Sequence, residues 1–319
     1  MTPEWKRWLW RGVKLALALL VLTFVGLRFQ RDLVHLDLSE IELRPIWLIA
    51  SAAMYLLGLL PSAWFWRHLH VLFGYPMPLY TAIRAHYIGQ LGKYVPGKAL
   101  AVAIRAELLH PAGVPYGVSV IASFYEVFTG MAAGAMIAAL TFIMDPPVLT
   151  ADLQWHPALI GAGLIAVCGI PLLPGVFNLV IAKLTAKIQA IQLYRLPPVR
   201  FPTLALGLLV TAAGWALQGL SVWAMFQAVV PAPQELSLSW WAQCIAAIAF
   251  ANVAGFVVFF LPAGFGVREG LLQVLLGNAG PDRYIALAVI LLRLDWIVAE
   301  AVFALGAYWF KPRASEPEA

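Results

Sequence analysis

Long apolar runs, each closed by a small group of charged, proline or glycine residues, set the pattern of the chain. A run of about 20 apolar residues is long enough to span a bilayer as a helix. Read this way, the sequence predicts spans over residues 8–27, 45–66, 114–144, 158–173, 203–230, 240–260 and 283–310. Between the fourth and fifth, Phe177, Val180, Ile181, Leu184, Ile188 and Ile191 recur at helical spacing, with Lys183 and Lys187 off that stripe. Such a stripe predicts an amphipathic helix lying on the cytoplasmic surface. The segment 28–44 is mixed in charge and is placed along the outer interface.

Two stretches break the pattern. Residues 78–110 hold Arg84, His86, Lys93, Lys98, Arg105 and Glu107, too many charges for an ordinary span, yet they are too apolar for a plain loop. They read as two half-length helices meeting at Pro96-Gly97, a re-entrant hairpin. The second break runs Leu261-Pro262-Ala263-Gly264-Phe265-Gly266-Val267-Arg268-Glu269 and opens a short half-helix over 267–278. Backbone that leaves the helix at membrane depth is tolerated only where protein or a wet cavity satisfies it. Interrupted helices in both halves of a chain point to a transport site. The expected fold is therefore all-α: a polytopic integral membrane protein of seven spans plus two re-entrant elements, or eight spans if either break crosses completely. Residues 1–319 are read as a single membrane domain, with 311–319 a polar tail expected to be disordered. The two halves are alike. Pro96-Gly97 precedes Arg105-Ala106-Glu107-Leu108-Leu109, Pro262-Ala263-Gly264 precedes Arg268-Glu269-Gly270-Leu271-Leu272, and each is followed by a run with a buried acid, Glu126 or Glu300. Internal duplication and coincidence are both open readings of this likeness.

Composition supports the membrane class. The chain is 62% hydrophobic and 12% charged, where a soluble protein carries roughly 25% charged residues. The short alternating segments of a membrane β-barrel are absent. The net charge of +5 and the 13 tryptophans fit interface anchoring rather than nucleic-acid binding. Lys6, Arg7, Arg11 and Lys14 predict a cytoplasmic N-terminus, and Arg195 and Arg200 extend a second basic loop on the same side. The two cysteines fall in apolar runs and give neither a disulfide framework nor a metal signature. No metal, cofactor or nucleophile set is visible.

The chemistry concentrates in the buried charges. An ionisable group at mid-membrane costs at least about 2.5–3.5 kcal/mol on insertion scales unless it is paired or wet. Arg105, Glu126, Arg268, Glu269, Arg293, Asp295 and Glu300 carry that cost as a group. A half-helix start offers unpaired N–H groups and a positive dipole end. With Lys98 and Arg105 behind Pro96-Gly97, and Arg268 behind Pro262, Gly264 and Gly266, each break favours a phosphate. Glu126, Glu269 and Glu300 would balance the cations or relay protons. The competing reading is that these are structural ion pairs fixing helix register; it is favoured for Arg293 and Asp295. Arg84, Lys93 and Arg283 are read as snorkelling interface anchors, and Gly130 and Gly134 as a small-residue packing face.

The Tyr94-Val95-Pro96-Gly97-Lys98 run with Arg105, the Glu126 span, and the Pro262 to Glu269 stretch together resemble the lysylphosphatidylglycerol synthase transmembrane-region family. This is the flippase-like half of the bacterial multiple peptide resistance factor, with free-standing members linked to hopanoid synthesis and glycolipid assembly. The resemblance covers about Trp8 to Phe310. It implies lipid translocation between leaflets in a bacterial inner membrane. It does not imply lysyl transfer, which in two-part members belongs to a separate soluble domain that is not expected here. Ala263 stands where the family commonly has the first glycine of a pair.

Three functions compete at this point. The first is a lipid flippase that moves an anionic phospholipid or a polyprenyl- or hopanoid-type lipid. The second is an integral-membrane enzyme acting on a lipid-linked phosphate or sugar, and the third is a non-transporting scaffold for a lipid-modifying enzyme. The first is the main expectation. Its partners are membrane lipids, not nucleic acid; a lipid-modifying enzyme and a second copy of the chain are further candidates.

Overall fold

The computed structural model describes Leu27 and residues 42–94, 99–144, 157–187, 196–233, 235–257, 264 and 266–309. Apart from Leu27, the predicted first span, the interface segment up to residue 41, the acidic loop 145–156 and the tail 310–319 lie outside the described residues. So do Pro96, Gly97, Lys98 and Pro262.

Every extended element among the described residues is helical: α1 (Pro45–Leu72), α2 (Leu79–Gln90), α3 (Ala99–Leu109), α4 (Tyr116–Met144), α5 (Pro157–Gly169), α6 (Pro174–Lys187), α7 (Phe201–Val229), α8 (Leu238–Val257), α9 (Val267–Leu275) and α10 (Asp282–Trp309). A helix satisfies its own backbone, which is what apolar sequence in lipid requires. Four of these, α1, α4, α7 and α8, are long and apolar enough to cross a membrane. A fifth candidate is the pair α5 and α6, bent by 64° where Pro171 and Pro174 interrupt the ladder. At 28 residues α10 is equally long, but Arg293, Asp295 and Glu300 in its interior keep it out of the apolar class.

The predicted boundaries sit within a few residues of these helices, with one larger difference. α1 continues to Leu72 because its last turns, Phe65, Trp66, Leu69 and His70, are buried against the body of the protein rather than ending at an interface. On α6, Phe177 and Ile181 pack inward, and the Phe177 ring meets Tyr125 edge-on at 4.4 Å. Val180, predicted for the same stripe, is 46% exposed, and Leu179 beside it is exposed as well. The inward face is narrower than the periodicity implied.

Close backbone approaches join the elements. α1 and α7 cross where Gly214 lies on Gly58; a Cβ at Gly214 would stand 2.7 Å from the Gly58 carbonyl oxygen. α2 and α3 form the two arms of the predicted hairpin, joined by a 3-10 turn over Leu91–Tyr94 and residues 95–98. Gly92 sits directly on the backbone of Ala101, leaving no space for a side chain. The hairpin is fastened to α10: Arg84 Nε donates to the Ala307 carbonyl at 2.7 Å, and Tyr87 packs on Phe303 at 4.2 Å. Arg84 is therefore not a snorkelling anchor.

The α1–α7 crossing predicts a specific sensitivity. Gly214→Val forces Cβ and its methyls into the Gly58 carbonyl, and overpacking of this kind costs about 1–3 kcal/mol. Thermal unfolding in detergent should show a clear loss for Gly214→Val and none for Gly306→Ala, whose added Cβ meets nothing within 4 Å.

Candidate functional site

The buried charges assort into ion pairs that cross between elements. Arg105 on α3 and Glu126 on α4 are both buried and meet at 2.8 Å through Nη1 and Oε2. His86 on α2 approaches the other oxygen of Glu126 at 3.5 Å, and the Arg105 guanidinium lies over the Trp66 ring at 5.6 Å. Three helices thus converge on one carboxylate at the first break.

At the second break, Gly264 and Gly266 both take positive φ, +68° and +87°. In that region L side chains are strained and glycine is not. A Cβ at Gly264 would stand 2.8 Å from Gly255 Cα, so the loop lies directly on α8. The turn delivers Glu269 into the first turn of α9, where its carboxylate accepts the Gly266 N–H at 2.7 Å. Its other oxygen pairs with Arg293 Nη1 of α10 at 3.2 Å.

Glu300 on α10 is tied to the turn before the first break. Lys93 and the Tyr55 hydroxyl both contact its Oε1, and the Tyr94 hydroxyl donates to Oε2 at 2.9 Å. Lys93 Nζ also donates to the Tyr55 oxygen at 3.1 Å. A carboxylate from the second half of the chain is thereby held by the turn that leads into the first break. Lys93, like Arg84, is drawn inward rather than snorkelling to the interface.

Arg268 stands apart. It is 7% exposed, yet among the described residues it makes no ion pair. Its guanidinium carbon lies 4.6 Å from the centre of the Trp296 ring. Trp296 in turn stacks on Tyr55, with ring centres 4.0 Å apart and planes 10° from parallel. The likeness between the two halves makes the contrast legible. Arg105 is neutralised by the acid of the following long helix. Glu300, the corresponding acid behind Arg268, is held by Lys93 from the other half.

These groups surround one cavity of about 580 Å³, within the roughly 300–1,000 Å³ range of ligand pockets. Lys93, Arg105, Glu126 and Arg268 all reach it, as does Gly255 under the second break. One wall is apolar, with Phe124, Val127, Met131 and Phe256. Phe124 is 49% exposed and Ala103 is exposed as well, which places the mouth between α3 and α4. The packing role assigned to Gly134 fits its position under the Trp215 ring, at 2.9 Å from a notional Cβ. Gly130 lines the cavity instead, and its carbonyl accepts the Trp215 indole N–H at 2.8 Å.

Of the candidate residues, the cavity gathers Arg105, Glu126 and Arg268 directly; Glu300 stands behind Lys93, and Gly264, Gly266 and Glu269 form the turn that carries Arg268 in. The sequence reading did not single out Tyr55, Trp296 or His86 as site residues. Tyr55 and Trp296 lie in apolar runs, where nothing in spacing separates a site aromatic from a packing one. Tyr94 abuts the first break and Lys93 precedes it, so proximity to the proline was the available signal for both.

The family model described as Lysylphosphatidylglycerol synthase TM region matches residues 12–294, a stretch that contains both breaks, the Arg105–Glu126 pair and Arg268. A search of curated proteins finds no match to the chain.

Removing one partner of a buried pair leaves an uncompensated charge, at a cost of about 3–5 kcal/mol. Glu126→Gln should therefore lower the melting temperature sharply, and adding Arg105→Gln should restore most of the loss. Equal melting of the single and double variants would show that the pair carries no such energy.

Proposed function

We propose that this chain, which belongs to the lysylphosphatidylglycerol synthase TM region family, moves an anionic lipid or lipid-linked head group between the leaflets of a membrane. Membership makes it a membrane protein tied to lipid handling; translocation is the finer reading. The observation that carries it is Arg268, a buried cation without a described carboxylate partner, facing a cavity that opens sideways between two helices. A cation in apolar surroundings calls for a counter-charge. Through a mouth between two helices, the phosphate of an entering lipid meets that need while its acyl chains stay outside. A guanidinium suits a phosphate through its bidentate fork, and Trp296 fixes the plane of that fork from one side.

The neighbouring pairs have supporting roles in this reading. Arg105–Glu126 and Arg293–Glu269 hold the cavity walls in register. Glu300 and Lys93 tie the turn before the first break to α10. The acids Glu126, Glu269 and Glu300 are also the groups through which protons would be exchanged if transport is proton-coupled. Residues 98, 96 and 97 would add backbone and lysine contacts at the first break, and Pro262 would shape the second. The setting we propose is a bacterial inner membrane, with the N-terminus and the α6 region on the cytoplasmic side.

Charge-assisted hydrogen bonds contribute roughly 1.5–3 kcal/mol, or about ten- to a hundredfold in affinity. In proteoliposomes, Arg268→Gln should slow leaflet exchange of an anionic phospholipid by that order with an unchanged melting temperature. Arg268→Lys should recover part of it, and Lys183→Gln, on the exposed face of α6, should have little effect. A chemically altered lipid in the vesicles would replace transport with catalysis. Full exchange by Arg268→Gln would remove Arg268 from the mechanism.

A further inference from the structure

The sequence favours a structural ion pair for Asp295 on α10, but among the described residues Asp295 makes none. A hydroxyl meets its carboxylate instead: Ser51 of α1 is placed to donate to it. Ser51 Oγ lies 3.1 Å from Ser221 Oγ of α7. Ser221 Oγ in turn accepts the indole N–H of Trp296 at 2.9 Å. Ser51, Ser221 and Trp296 are all buried. The string leaves α10 at residue 295, crosses α1 and α7, and returns to α10 at residue 296.

The two ends decide which way each hydrogen points. An ionised carboxylate only accepts, an indole N–H only donates, and a hydroxyl does both. Ser51 therefore donates to Asp295, Ser221 donates to Ser51, and Ser221 keeps a lone pair for Trp296. Every hydroxyl in the run is satisfied in this one direction. A buried polar network that is fully satisfied rigidifies what it holds.

What it holds is the platform beside Arg268. Stacking on Tyr55 sets the tilt of the Trp296 ring, but a stacked ring can still slide and turn within its own plane. The bond from Nε1 to Ser221 removes that freedom. The Arg268 guanidinium carbon lies 4.6 Å from the centre of this ring. Arg268, Trp296 and Tyr55 line the cavity, whereas Ser51, Ser221 and Asp295 stand behind its wall.

We propose that Ser221, backed by Ser51 and Asp295, is a positioning residue for Arg268: it fixes the Trp296 ring, and the ring aims the guanidinium fork into the cavity. The proposal rests on the reading of Arg268 as the group that holds a lipid phosphate. It gives Asp295 a task that no ion pair supplies.

The test is binding of short-chain phosphatidic acid to the full chain in detergent, measured beside leaflet exchange in proteoliposomes. A neutral hydrogen bond is worth about two- to tenfold in affinity, so Ser221→Ala should weaken binding by that factor. Ser51→Ala and Asp295→Asn, one and two bonds further from the ring, should each give part of the loss. Two altered backgrounds separate positioning from plain stability. In Trp296→Phe the ring has no N–H for Ser221 to hold, and in Arg268→Lys a point charge replaces the planar fork. Adding Ser221→Ala to either should cost no further affinity. If Ser221→Ala lowers affinity by the same factor with and without Arg268→Lys, its role is structural and the positioning proposal is overturned. Unchanged binding by Ser221→Ala alone would overturn it as well. Binding without exchange by the unaltered protein would overturn transport and leave the positioning role standing. Neither binding nor exchange, from a protein that melts cooperatively, would overturn both.

Discussion

The cost of keeping charge inside an apolar slab is the constraint on which the rest of this structure depends. An ionised side chain removed from water must find an opposite charge or carry a penalty large against the net stability of a fold. The chain meets this constraint by joining elements distant in sequence. Glu300 reaches Lys93 and Tyr94 across more than 200 residues, Glu269 reaches Arg293, and Glu126 draws in α2 and α3 together. Each pair fastens a short helix or turn to a long helix. The two half-helix elements are therefore fastened by ion pairs in addition to packing, whereas the long helices meet through close packing, with Gly58 on Gly214 and Gly134 under Trp215.

The same constraint explains why Arg268 is informative. A hairpin turn with two positive-φ glycines places it in the cavity, and Glu269 beside it is committed to the turn and to Arg293. The acid that its position in the second half would offer, Glu300, is held by Lys93. A buried positive charge without a counter-charge is costly, and binding an anion removes the cost. Binding energy of that origin depends on the ligand's charge more than on its shape.

Much of the fold was legible because membrane helices advertise themselves. Apolar run length located α1, α4, α7 and α8 to within a few residues, and the Pro-Gly breaks located the short helices α3 and α9. The extension of α1 to Leu72 was not legible, since Trp66 and His70 look like interface residues until their burial is known. The pairing of charges was also hidden. Arg293 and Glu300 share a face at a spacing of seven, and the sequence offers no means of learning that each turns to a different partner, Glu269 and Lys93. Tyr55 and Trp296 are invisible for another reason: an aromatic in an apolar run has the same signature whether it packs or lines a site. What the sequence did mark was the unusual expense of the charges, and several of the residues so marked, Arg105, Glu126 and Arg268, line one cavity.

The central claim is that Arg268 holds the phosphate of a lipid in the cavity between the two breaks. A high-resolution structure of the protein in nanodiscs containing an anionic phospholipid tests it most directly. The account predicts a phosphate within about 2.7–3.0 Å of the Arg268 guanidinium nitrogens, with the acyl chains leaving between Ala103 and Phe124. A cavity filled by water or acyl chain alone, with the Arg268 guanidinium turned onto a protein carboxylate, would contradict it.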